Sequence, residues 1–114
     1  MSGLKNLIDV AGGASGLTDL SIVKIAAIVE KQGYVDAETR RGLYDSTESL
    51  IDLLRNQMFA DQEEAFERVV ELNRETAQHI CMMADVDAEI SFHVAHALVW
   101  LWFVSTTIGE IEIE

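Results

Sequence analysis

Residues 90–108, ISFHVAHALVWLWFVSTTI, hold thirteen apolar side chains and no Lys, Arg, Asp or Glu. Wound into a helix at about 100° per residue, the run leaves no polar half. Phe92, Val99 and Phe103 fall on one side, Val94, Leu98 and Leu101 on a second, and Trp100 and Val104 on a third. A helix that is apolar all round is wrapped by protein or by lipid. Lipid is the poorer choice. The run is barely long enough to cross a bilayer, and it carries two His, two Ser and two Thr. Its flanks are acidic, with Asp85, Asp87 and Glu89 before it and Glu110, Glu112 and Glu114 after it. The Lys and Arg that orient a membrane span are missing from both ends. The run therefore reads as a core helix.

The rest of the chain offers amphipathic helices to wrap it. Leu4, Leu7, Ile8 and Ala11 recur at helical spacing, and the glycines of AGGASG then break the pattern. Residues 1–16 thus read as a short N-terminal helix and a Gly-rich hinge. Thr18 or Asp19 is expected to cap the next helix and Gly33 to end it, with Ile22, Val23, Ile25, Ala26 and Val29 turned inward. Asp36 is expected to cap a third, in which Leu43, Thr47, Leu50, Ile51, Leu54 and Met58 recur every three or four residues. Its other face carries Arg41, Asp45, Glu48, Asp52 and Arg55.

Asp61 and Glu64 have capping-box spacing ahead of a helix over about residues 62–83. Phe66, Val69, Leu72, Ala77, Ile80 and Met83 share its inward arc. Glu64, Glu67, Glu71 and Glu75 line the outer one, with Arg68 and Arg74 at the margins. Asp85 or Asp87 caps the last helix and Gly109 closes it. Residues 110–114, EIEIE, form an acidic tail that alternates with period two. The expected fold is all-α: one domain over 1–114, a compact bundle of four main helices over 17–109 preceded by the short one.

An apolar share of 49 % beside 25 % charged residues means strongly polarised surfaces. Two Trp and four Phe are many for 114 residues to hide, which favours an oligomer or a partner-binding patch. A small bundle is expected to have no central helix. One side of the last helix, His93, His96, Trp100, Phe103, Val104 and Thr107, is accordingly expected to meet a second copy or a partner. Trp set among His and Thr is the mixture of interface centres. A net charge of −12 repels phosphate backbones and anionic lipid, and favours a basic protein partner. The start of the chain has an acid at Asp9 and no sustained apolar core, so no secretion signal is read there. The single cysteine, Cys81, excludes an internal disulfide and fits a cytoplasmic setting.

Chemistry is weakly signalled. Glu89, His93 and His96 can face one way, and Glu75 with His79 forms a second pair. Di-metal carboxylate bundles use Glu-x-x-His, however, and both pairs here are Glu-x-x-x-His. Cys81 has no flanking cation, and His79 two residues away faces elsewhere. AGGASG lacks the Lys-Ser/Thr of a phosphate loop. No catalytic, cofactor or metal site is expected. The leading expectation is a non-enzymatic, acidic, homodimeric inhibitor or anti-activator that sequesters a basic DNA-binding regulator. The alternatives are an acidic dimeric chaperone of a secreted protein, a DNA mimic acting through Glu64, Glu67, Glu71 and Glu75, and a small metal-binding bundle enzyme.

Overall fold

Six helices make up the computed structural model, which describes residues 2–32, 36–84 and 87–107. They are α1 (Ser2–Val10), α2 (Gly13–Thr18), α3 (Ile22–Gln32), α4 (Ala37–Gln57), α5 (Glu63–Met83) and α6 (Ala88–Thr107). There is no strand among the described residues. The fold is all-α, as the periodicity predicts. Gly33, Asp85, Gly109 and the 110–114 tail lie outside the described residues.

Side-chain caps start α3, α4 and α6. Asp36 accepts a 2.7 Å hydrogen bond from the Thr39 N–H and starts α4. Those bonds to Thr39 hold the Asp36 carboxyl below its ordinary range. Asp87 accepts from the Glu89 N–H at 2.9 Å and starts α6. Two expected caps are not made. Ser21, rather than Thr18 or Asp19, caps α3 by accepting from the Lys24 N–H at 3.2 Å. Thr18 is instead absorbed into α2, and the Asp19 carbonyl receives the Lys24 ammonium at 3.1 Å. At α5 the flanking residue is Gln62, which makes no side-chain cap. The chain enters α5 from a backbone turn, Gln62 N–H to Phe59 carbonyl at 3.0 Å, so the Asp61–Glu64 box does not form.

The glycine stretch is a tight corner between two helices. Gly12 and Gly13 take φ of 99° and 74°, the left-handed region that glycine enters without cost. Helix resumes at once in α2. A Cβ on Gly16 would run into the Ala11 carbonyl oxygen, so only glycine lets α2 fold back so closely on the end of α1.

Folded back in this way, α1 and α2 bring Leu4, Leu7, Leu17 and Leu20 into the core against α4 and α6. Burial of each such side chain contributes roughly 1.5–3 kcal/mol. The pair covers the flank of α6 that three longer helices leave bare. Helix α6 packs against every other helix, and Val94, Leu98, Val99, Trp100 and Leu101 are fully buried on its different sides. The expectation that no helix can be central is therefore corrected. The radius of gyration, 13.1 Å, matches the roughly 13 Å of a compact chain of this length.

Candidate interaction groove

Five apolar residues expected inside stand outside. Ile22 and Val23 on α3 are 45 % and 69 % exposed, and Leu72 on α5 is 61 % exposed. Helix α3 approaches α5 and α6 through Ile25, Ala26 and Val29. Its first turn is left exposed at Ile22 and Val23. Met83 and Met58, also expected inside, are exposed at the ends of α5 and α4.

Between α3, α5 and α6 lies a groove of about 200 Å³, lined by Ser21, Ile22, Ile25, Leu72, Asn73, Thr76, Val99 and Trp102. Trp102 is half-buried and forms part of its floor. Small-molecule pockets usually enclose about 300–1,000 Å³. This hollow is on the scale of one bulky side chain. Its walls are mainly hydrocarbon, and two of its polar groups are already engaged. The Ser21 hydroxyl caps α3, and the Thr76 hydroxyl donates to the Leu72 carbonyl at 2.8 Å. Asn73 differs. It is 4 % exposed, and its Nδ2 has no hydrogen-bond partner. An unsatisfied buried group of this kind costs about 1–3 kcal/mol. The other buried polar atoms without partners, Arg40 Nε, Ser46 Oγ and Thr47 Oγ1, belong to α4, which does not line the groove.

The acidic row runs along the adjoining face of α5. Glu64, Glu67, Glu71 and Glu75 are all exposed, and Glu75 stands one helical turn from Leu72. Arg68 and Arg74 are exposed and make no ion pair within 4.0 Å with the row. Among the described residues the only ion pair within 4.0 Å joins Arg55 to Asp52, at 3.0 Å.

The stripe expected at an interface is divided by the fold. His93, His96, Trp100 and Phe103 come together in a run of rings between α4 and α5. Tyr44 meets His93 edge-on at 5.5 Å, Phe92 stacks on His96 at 5.1 Å, and Trp100 meets Phe103 edge-on at 5.6 Å. Trp100 also packs on Phe66, and its N–H donates to His96 Nε2 at 3.1 Å. Burial, reinforced by the Arg74 charge and then by His93, pushes His96 down to about 4. Burial and then the Arg40 charge lower His93 as well. His93, His96 and Phe103 are half-buried and Thr107 is exposed, but Trp100 and Val104 are covered by their own chain. Those two are corrected from surface to core.

The metal candidates are dispersed. Glu89 is exposed and His96 is occupied by Trp100. Glu75 and His79 are exposed without an ion pair between them. Among the described residues no three of His, Cys, Asp and Glu are grouped to hold a metal ion. Cys81 is buried, 3.4 Å from the Ser91 hydroxyl. Among the described residues no helix is long and apolar enough to cross a membrane.

The sequence carries a signal for Asn73. That residue stands at the centre of the inward arc of α5, four residues from Val69 and Ala77 and seven from Phe66 and Ile80. A lone polar residue in an apolar seam was the signal.

Comparison of the chain with protein-family models, with curated proteins and with solved structures finds no match.

Proposed function

We propose that this chain is a non-enzymatic protein-interaction module that captures a basic amphipathic helix of a partner in the α3–α5–α6 groove. One observation carries the reading. Ile22 and Leu72 are exposed at the groove that Trp102 also lines, beside an acidic row that makes no ion pair within 4.0 Å among the described residues. The apolar edge of a docked helix would supply burial. The row Glu64, Glu67, Glu71 and Glu75 would steer basic flanks into place and raise the rate of encounter. A basic DNA-binding regulator fits this chemistry, and occlusion of its helix would make the module an inhibitor or anti-activator.

The test is a display library of basic amphipathic helices selected on the wild-type chain. Binders are expected to be lost on Leu72→Glu, which leaves the circular dichroism spectrum unchanged because Leu72 is exposed. Binders indifferent to Leu72→Glu overturn the groove. Binders lost only on Glu67→Gln with Glu71→Gln indicate mimicry of DNA charge instead.

A second reading, homodimerisation, is favoured by the half-buried Phe92 and Phe103 of α6 at the α4–α5 seam. Under it, Phe103→Glu lowers the sedimenting mass to that of one 12.7 kDa chain. An unchanged mass removes that seam as the contact.

A further inference from the structure

We infer that the α3–α5–α6 cavity is a socket for one glutamine side chain of the docked helix, read by the amide of Asn73. The inference rests on the docking reading above and names what that groove selects. Three observations meet here. The hollow, about 200 Å³, has room for a single side chain. Its walls are Ile22, Ile25, Leu72, Val99 and Trp102, which suit a methylene stem. Its one buried polar atom without a partner is Asn73 Nδ2, on the inward arc of α5.

The chemistry narrows the guest. Asn73 offers a donor pair and an acceptor on one planar group, and its χ2 torsion is broad and two-fold, so either end can be presented. A second primary amide answers both ends at once. Its oxygen accepts from Asn73 Nδ2–H while its own N–H donates to Asn73 Oδ1. Glutamine carries that amide on a stem long enough to reach past Leu72. A lysine or arginine head would be a charge buried against a lining that holds no carboxylate. A glutamate would be an anion buried against a lining that holds no cation. Leucine or methionine would fill the space and leave Asn73 unsatisfied. Polar residues buried in an apolar helix seam commonly serve to choose register and partner at a cost in stability.

The experiment uses the same helix library, with every position facing the groove randomised, selected in parallel on wild-type, Asn73→Leu and Asn73→Ala chains. Wild type is expected to enrich glutamine at one position. Replacement of that glutamine by leucine in a purified peptide should weaken binding about tenfold. Asn73→Leu should abolish or invert the preference, and should itself melt higher than wild type because the unpartnered amide is gone. Asn73→Ala, which cannot overfill the site, should also lose the preference. The same residue enriched on all three chains overturns the socket while leaving the docking groove standing. A lower melting temperature for Asn73→Leu, with the glutamine preference intact, also overturns it. A library without any binder sensitive to Leu72→Glu removes the groove and the socket together.

Discussion

The indole N–H of Trp100 donates to Nε2 of His96 across one turn of α6, at 3.1 Å. Because Nε2 accepts, His96 is neutral with its proton on Nδ1. The bond lets a Trp be fully buried at the centre of the bundle with its one polar atom satisfied. It also ties the protonation of α6 to the packing of the core, since an imidazolium has no lone pair for the indole.

Acid should therefore loosen the fold through this pair. His96 titrates near 6.5 when unfolded and is pushed down to about 4 when folded. Between those values the unfolded chain takes up a proton that the folded chain refuses. The stability is complete above pH 6.5, declines as pH falls toward 4, and levels off below. His93 is lowered too and adds the same sign. His96→Gln keeps an acceptor for Trp100 and removes the titration. Urea denaturation of both chains at pH 7, 5.5 and 4 should show the wild type losing ground to the variant. Parallel pH profiles would exclude His96 as the source.

Trp100 should behave as core and not as interface. Trp100→Ala is expected to cost about 3–5 kcal/mol of stability through the cavity it leaves. Trp100→Phe retains a ring against Phe66 and Phe103 and loses the N–H, so about 1 kcal/mol is expected. Neither change should weaken the groove for peptide, measured by anisotropy at a temperature where each variant is folded. A binding loss without a stability loss would return Trp100 to the surface.

Much of the fold was legible because it rests on local chemistry. The apolar run of α6, the two-faced α4 and α5, and the caps Asp36 and Asp87 follow from side-chain spacing and from a carboxylate beside free N–H groups. Errors arose where tertiary context decides. Periodicity places Ile22, Val23 and Leu72 on inward arcs, but whether a neighbour arrives to cover an arc depends on where α3 crosses α5. The central position of α6 depends on Gly12, Gly13 and Gly16, which read as a hinge and form a corner. Asn73 broke an apolar pattern and was readable. Its missing partner was not, since that depends on three helices at once.

The corner gives a sharp test. A methyl group on Gly16 would collide with the Ala11 carbonyl oxygen, a backbone atom that cannot rotate away. Gly16→Ala should cost about 3 kcal/mol, at the upper end for overpacking. It should release α1 and α2 from α6, seen as faster amide exchange at Leu7, Ala11 and Leu17. Gly42→Ala, where an added Cβ has open space inside α4, is the control and should stabilise by about 0.5–1 kcal/mol. Equal effects at both sites would mean that the corner is not close-packed in solution.

Salt should move stability and binding in opposite directions. The chain carries a net charge of −12. Its acidic row on α5 has no ion pair among the described residues. Glutamates three or four apart on a helix stand about 5–6 Å from one another. That lies inside the Debye length of about 10 Å at 0.1 M salt and outside the 3 Å at 1 M. Raising NaCl across that range should relieve the repulsion and stabilise the fold by about 1 kcal/mol, from a few tenths for each neighbouring pair. Glu67→Gln with Glu71→Gln should give much of that gain already at 0.1 M. The same screening should slow association of a basic helix, because the field of the row steers the encounter. The melting temperature would thus climb with salt while the association rate falls. A melting temperature that stays flat across the titration would mean the row is neutralised in solution, and electrostatic capture of a basic partner would lose its basis.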